Sequence, residues 1–540
     1  MQQIEKNQKE FLKLLVLFIA IVLPWIIGIL VVRSTATRVI DESMTQLNFS
    51  RDTTMKVDHS RFEILRQAFR FPQEVTAACL SCHNLTAQDV MKSSHWTWTK
   101  DYILDDGDTI KLGKKNIINN FCIGVSSNES RCTSCHIGYG WKDANFDFTN
   151  SLNIDCIICH DRTGTYEKFP TGAGYPVSEE KKFGNKSFLP PDYTKIAQHV
   201  GSPERENCGA CHFLGGGGNN VKHGDIASEL TQITREVDVH MAVDGANMTC
   251  TDCHKTNKHN ITGNLYSIAS ADNNRVTCDQ CHTLQPHRNS TLNKHISRVA
   301  CQTCHIPEYA KRSSTKMYWD WSTAGEFNND GTAKVKYDSL GNIVYHSMKG
   351  SFQWENNVVP DYLWFNGEAR HYLLGDPIDS TTPVQLNMLL GDYQDKKSLI
   401  IPAKVHRGRQ IFDPGYNTMI LVHLFGNDSA AYWKTYDWDR AAEAGMRSAG
   451  LPYSGNYSFV STEMYWPINH MVAPADESLD CDACHSRESY LGNLAGFYLP
   501  GRDSNRFMDL MGFALIILAF SGVVVHSLLR ATKNRFRHTK

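Results

Sequence analysis

The chain has 540 residues, enough at about 150 per domain for three to four domains' worth of material. Lys and Arg total 55 against 57 Asp and Glu, a formal net charge of −2, which excludes the single-sign field of a nucleic-acid binder. With 41% hydrophobic and 21% charged residues, the chain also lies outside the compositions that stay disordered.

The first element is an apolar run of 19 residues, Leu14 to Val32, behind Lys6, Lys9 and Lys13. It exceeds a signal-peptide core, and no small-x-small cleavage site follows it before Arg33, so residues 1–33 read as an uncleaved membrane anchor. A cleaved signal peptide is the alternative.

Residues 34–305 are organised by a repeat. In a shuffled chain with 17 Cys and 23 His, C-x-x-C-H would occur about 0.02 times. It occurs eight times, at Cys79-Cys82-His83, Cys132-Cys135-His136, Cys156-Cys159-His160, Cys208-Cys211-His212, Cys250-Cys253-His254, Cys278-Cys281-His282, Cys301-Cys304-His305 and, far downstream, Cys481-Cys484-His485. In this motif two thiols form thioethers to porphyrin vinyls and the histidine becomes the proximal iron ligand. A zinc ribbon or thioredoxin-like pair would not require a histidine after every second cysteine. Eight covalently bound c-type haems are therefore expected, and with them an extracytoplasmic, periplasmic location in bacteria. Gly215 to Gly218, after the fourth motif, read as a flexible loop, since no G-K-[ST] follows to make a phosphate cradle.

Residues 306–506 carry the eighth motif behind an aromatic-rich stretch that includes Trp319, Trp321, Trp354, Trp364, Trp433, Trp438 and Trp466. This segment reads as wrapping around the haem stack and returning histidines to it. Few strands are evident, and the clearest helix runs from about Trp438 to Arg447, with Asp439 as N-cap and Gly450 near its end. The expected fold class is mainly α with extensive irregular structure: a multihaem cytochrome c built around a packed haem array, plus two transmembrane helices. The second of these occupies residues 507–540. Leu510 to Leu529 is mostly apolar and is followed by Arg530, Lys533, Arg535, Arg537 and Lys540, so the positive-inside bias places both termini in the cytoplasm and every motif on the outer side of the inner membrane. His526 within this run reads as reaching the headgroups, because a second haem-ligating histidine is missing from the first run.

Electron-transfer haems need a distal ligand, and fifteen of the 23 histidines lie outside the motifs. His95, His223, His240, His259, His287, His295 and His470 are the expected distal ligands, with His406 and His423 in reserve. Cys122 has no haem role and no intrachain disulfide partner, so it is a free thiol or an intermolecular link. Ten residues before Cys132, it is placed to exchange with a sulfur substrate as thiolate; an inert buried cysteine is the bland alternative.

The stretch CTSCHIGYGWKD, Cys132 to Asp143, resembles the octahaem tetrathionate reductase family, a branch of the hydroxylamine-oxidoreductase-like multihaem cytochromes. DVHMAVDGANMTCTDCHKTNKH (Asp238 to His259), ACQTCHIPEYA (Ala300 to Ala310), TKMYWDWSTAG (Thr315 to Gly325) and TEMYWPINHMVAP (Thr462 to Pro474) extend the likeness across most of the chain. The resemblance implies seven bis-His haems and one with a distal lysine, and it points to Lys142; the motif makes His136 proximal, and nearby Asp143 and Asp147 are candidates for proton supply or satisfied surface groups. Together with the two apolar runs, it suggests a membrane-anchored reductase acting on tetrathionate, nitrite or hydroxylamine. Its partners would be membrane lipid, a quinol or another cytochrome, and a small inorganic sulfur or nitrogen substrate, with self-association left open. The alternative is a non-catalytic electron carrier linking the quinol pool to periplasmic acceptors; the anchors, which soluble family members lack, favour it. Oxidation of hydroxylamine or hydrazine, which would need a haem-linked tyrosine such as Tyr465, ranks last.

Overall fold

The computed structural model describes Phe18, Val22 and Ile26, and residues 57–104, 106–263 and 274–536. The rest of the expected first anchor lies outside the described residues. Two compact units are present. The small one combines Met1–Gln46 with Gln285–Lys294; in it the His287 N–H donates to Asn293 Oδ1 at 3.0 Å. The large one comprises Leu47–Leu284 and His295–Lys540 and holds the elements that follow.

A nine-stranded mixed sheet dominates the large unit. Its strands are β1 (Thr315–Asp320), β2 (Val335–Tyr337), β3 (Ile343–His346), β4 (Gly350–Glu355), β5 (Asp361–Phe365), β6 (Val384–Gln385), β7 (Leu399–Asp413), β8 (Thr418–Met419) and β9 (Ser458–Pro467). The order is β6-β9-β7-β1-β4-β3-β2, with β5 and β8 also pairing to β7. β7 and β9 are antiparallel from Ala403 opposite Pro467 to Phe412 opposite Ser458, whereas β7 and β1 run parallel, Arg407 opposite Tyr318.

Period-two alternation along β9 turns Val460, Thr462, Met464 and Trp466 inward. On β7 the same period aligns Lys404, His406, Gly408 and Gln410 on one face, and the three side chains are buried. That face is polar because two loops cover it. Gln410 Nε2 donates to Asn119 O at 2.8 Å, and Lys404 Nζ donates to Val221 O at 2.8 Å. The loops so fastened carry Cys122 and the pair Lys222-His223.

The main core contains Trp319 and Trp321, whose rings stack at 4.8 Å, and Tyr432 on Trp438 at 3.8 Å. Each fully buried large side chain contributes roughly 3 kcal/mol through area removed from water. The longest helices are α1 (Pro72–Cys82), α2 (Arg205–His212), α3 (Trp438–Ser448) and α4 (Arg506–Phe536). In α3 the N-cap is Asp437, not Asp439: its side chain accepts from Arg440 N at 3.1 Å, and Asp439 already lies in the first turn. Gly450, at φ +70°, reverses the chain after the helix as expected.

The mainly α expectation is overturned by the sheet. β7 cannot be read as a strand from the sequence because its buried face carries Lys404, His406 and Gln410, while Arg407 and Arg409 on the other are exposed, so the apolar alternation that marks strands is lost. The expectation of two transmembrane helices is corrected too. Among the described residues one helix is long and apolar enough to cross a membrane, Arg506–Arg530 within α4, with mean hydropathy 2.3. At about 1.5 Å per residue it suffices for a ~30 Å hydrocarbon layer.

Candidate functional site

Each described C-x-x-C pair sits on a helical turn: the end of α1, the end of α2, and single turns such as Ile157–His160, Cys250–Cys253, Cys301–His305 and Cys481–Cys484. Spacing i, i+3 on a turn puts both sulfurs on one side, with the histidine leaving the turn beside them. Cysteines of different motifs meet. The Cys79 thiol contacts Cys156, Cys135 contacts Cys211, Cys208 contacts Cys250, and Cys278 contacts Cys301. Cys159 lies within electrostatic reach of Cys208, Cys253 of Cys281, and Cys304 of Cys484. The motifs therefore run first, third, fourth, fifth, sixth, seventh, eighth, with the second branching from the fourth.

At least five imidazole pairs among the described residues join a motif histidine to one outside the motifs. Ring centroids are 6.2 Å apart for His95 and His212, 6.4 Å for His259 and His160, 6.1 Å for His240 and His282, 6.3 Å for His470 and His254, and 6.1 Å for His295 and His485. Two imidazoles on opposite sides of one metal, each at about 2.0 Å, have a centroid separation of about this size. The Nδ1 atoms of His160, His254 and His485 sit 2.8, 2.8 and 3.0 Å from the carbonyls of Gly201, Thr262 and Pro500. A carbonyl accepts only, so Nδ1 carries the proton and Nε2 keeps its lone pair for a metal. Asp225 does the same for His470 at 3.1 Å; burial lowers the His470 pKa, but the hydrogen bond and charge of Asp225 outweigh it, and the net shift is upward. These residues fit a bis-imidazole haem. Among the described residues no group of three His, Cys, Asp or Glu could hold a free metal ion instead. The His223 ring packs on Trp466 at 5.0 Å.

The second motif is built differently. His136 is 1% exposed, and its Nε2 lies 2.6 Å from Trp96 O. The rings of Trp141, Trp96 and Trp98 surround it at 4.8, 5.2 and 5.3 Å, and burial lowers its pKa to about 3. Behind it lies a buried network that no spacing rule flags in the sequence. Lys168 Nζ donates to the His136 carbonyl and pairs with Asp155 at 2.9 Å, while Asp155 accepts from the hydroxyls of Tyr139 at 2.7 Å and Tyr166 at 2.9 Å.

Lys142 is exposed, because Trp141 turns into the aromatic cluster and the next residue turns out. Asp143 caps its own turn by accepting from Asn145 N, and Asp147 is held below the usual carboxylate range by its bonds to Thr149. The amine beside this motif is Lys222. Its Nζ lies 4.5 Å over the Trp466 ring, and burial, with repulsion from Lys114 and partial compensation by Cys135, lowers its pKa to about 7. Cys122 is half-buried on the same side, within electrostatic reach of Cys132. The glycine run lies over it: a Cβ on Gly217 would stand 3.9 Å from Cys122 Sγ, and one on Gly216 would meet Val221 at 2.9 Å, so the loop is packed rather than loose. The adjacency of Lys222 to His223 after four glycines was the available sequence signal.

Comparison with known proteins fits this arrangement. The solved octahaem cytochrome c of Shewanella oneidensis is 45% identical, with a TM-score of 0.72 over 80% of this chain and 94% of that one. The chain belongs to the octahaem c-type cytochromes. A family model described as bacterial cytochrome c matches residues 316–488 of this cytochrome, spanning most of the sheet and the eighth motif. An uncharacterised protein of Archaeoglobus fulgidus is 24% identical over 241 residues, covering 38% of this chain and 80% of its own. This cytochrome is thus a redox protein that carries covalent haem c.

Proposed function

We propose that this cytochrome is a membrane-anchored reductase with eight haems, one per motif, in which seven are held by paired imidazoles and the one at Cys132 and Cys135 carries an exchangeable amine. The observation that carries the reading is the contrast between the five matched imidazole pairs and the amine-lined surroundings of His136. Lys222, rather than the exposed Lys142, is the amine we assign, since iron takes up only the neutral form and burial favours that form at Lys222. Bound haem supplies the electrons. The chain's own groups hold His136, present Lys222, and keep the pocket dry with Trp96, Trp98 and Trp141. The substrate class is a small sulfur or nitrogen compound, namely tetrathionate, nitrite or hydroxylamine. The α4 helix anchors the periplasmic haem region to the inner membrane, with the basic tail in the cytoplasm. The same helix favours the second reading, an electron carrier between the quinol pool and periplasmic acceptors.

The test uses the reduced full-length protein. Haem reoxidation after adding tetrathionate, nitrite or hydroxylamine is expected, and it should fall at least tenfold in Lys222→Met but not in Lys142→Met. No reoxidation by any of the three would leave the carrier reading alone.

A further inference from the structure

The chain runs from the eighth motif to the apolar helix α4 without a loose tether. The Nδ1 of His485 lies 3.0 Å from Pro500 O, and Gly501, at φ +88°, packs on the His485 carbonyl, where a Cβ would stand 2.1 Å away. Leu491, Leu494 and Leu499 are buried in one cluster with Tyr362 and Trp364 of β5, Ile400 of β7 and, at its edge, Cys484 of the motif itself. Arg502 knots this strap. Its side chain is 10% exposed and donates to the carbonyls of Leu491 at 2.9 Å, Leu494 at 2.6 Å and Phe497 at 2.9 Å, while pairing with Asp503 at 2.7 Å. Asp503 also accepts from Leu499 N at 2.7 Å. Asn505 then caps α4, its Oδ1 accepting from Phe507 N at 3.1 Å and Met508 N at 3.2 Å.

Only Ser504 lies between the knot and the cap, and from Gly501, in contact with His485, to Arg506 the chain can reach no further than about 18 Å. The apolar run starts at Leu510, about 6 Å further along the helix. Tyr498, 68% exposed beside the knot, is of the residue type that settles at headgroup depth. A helix that served only to keep the protein at a membrane would need no fixed distance, and a flexible linker would do as well. A fixed distance matters when something confined to the membrane must come close to the haem. The eighth motif is also an end of the motif line: Leu479 N donates to Cys304 O at 2.9 Å, which seats it on the seventh. Charge that enters at an end has the whole line ahead of it.

We propose that the haem of the eighth motif is the port at which a lipid-soluble quinol passes electrons from the membrane into the line. This deepens the reading above and rests on its assignment of α4 as the membrane anchor. The quinol gives up two electrons, which convert two ferric haems of the line to ferrous, and releases its two protons to the water outside the bilayer; the quinone returns to the lipid. The test uses oxidised full-length cytochrome in phospholipid liposomes carrying menaquinol, with haem reduction followed by stopped-flow absorbance and dithionite as the water-phase donor. Inserting three EAAAK repeats after Ser504 lifts the strap by about 22 Å where the spacer is helical. The menaquinol rate should fall at least tenfold while the dithionite rate stays unchanged, and the same spacer added after Lys540 should alter neither. Should the inserted protein fail to mature, Arg502→Met, which unties the knot without lengthening the chain, should slow the menaquinol rate at least threefold and leave dithionite unaffected. An unchanged menaquinol rate in the variant overturns the port. Flotation with the liposomes tests the anchor by itself, so a parent that floats but is not reduced by menaquinol overturns the port alone. Reoxidation of the dithionite-reduced parent by substrate is independent of both, and the reductase reading stands or falls separately.

Discussion

Replacing Lys404 by methionine should remove a pH dependence from the protein's stability. Lys404 is 0% exposed; its Nζ donates to Val221 O at 2.8 Å and to Thr315 Oγ1 at 2.7 Å. Burial lowers its pKa from 10.5 to about 7, against the pull of Asp225 and Glu355. Between these two values the unfolded chain holds a proton that the folded one has released, so stability rises with pH across the window. The burial penalty is complete below about pH 7 and is relieved progressively toward pH 10.5. At about 1.4 kcal/mol per pH unit, raising the pH from 7 to 9 should stabilise the parent by roughly 2–3 kcal/mol more than Lys404→Met. Losing the two hydrogen bonds adds an offset to the variant but no slope. The assay is urea unfolding at pH 7, 8 and 9, followed by tryptophan fluorescence, with the variant subtracted from the parent so that Lys222 and the other groups cancel. Equal pH slopes in the two proteins, or a parent that gains relative stability as pH falls, would refute the reasoning.

Lys168→Met strands the buried Asp155 carboxylate and should cost about 3–5 kcal/mol, whereas Asp155→Asn with Lys168→Met should recover part of that loss; urea midpoints of the single and double variants check it. Asp225→Asn weakens the hydrogen bond that makes His470 a stronger donor, so spectropotentiometry should find one haem with a more positive midpoint potential. Gly501 has φ +88°, and a Cβ there would stand 2.1 Å from the His485 carbonyl, so Gly501→Ala should displace the eighth motif; pyridine haemochromogen analysis should then show reduced haem content.

The motifs were legible because covalent attachment demands fixed residues at fixed spacing, and that demand survives any fold. Distal histidines were partly legible. His95, His240, His259, His295 and His470 each face a motif histidine, but nothing in the sequence distinguishes them from His223, which packs on Trp466. The sheet was hidden for the opposite reason. β9 alternates cleanly, yet its partner β7 buries Lys404, His406 and Gln410, and a strand whose inward face is polar is indistinguishable from a loop by hydrophobic period. Lys142 was singled out by the family resemblance alone, and in the fold it is exposed beside buried Trp141. Half-buried Lys222, whose pKa burial lowers, comes from beyond the fourth motif, near which the thiol contact between Cys135 and Cys211 brings the second.

That contact also bears on why one site should differ from the rest. Thiol contacts and near approaches arrange seven motifs in a line and hang the second from the fourth, so the line has ends at the first and eighth and a spur at the second. A site in the middle of a line must pass charge in both directions and is best held by two strong, matched ligands. A spur has one neighbour, and giving up a fixed sixth ligand there leaves the line intact. At the spur the fold gathers Lys222, Lys114 and Cys122 around a motif, and there the proximal histidine has a buried ion pair, Asp155 with Lys168, fastened to its own carbonyl. The sheet explains how those amines arrive together. β7 and β1 pave the floor with Lys404, His406 and Lys316, and the loops around Cys122 and Lys222 form the cover, so a polar sheet face that would be a folding liability elsewhere is what makes the spur basic.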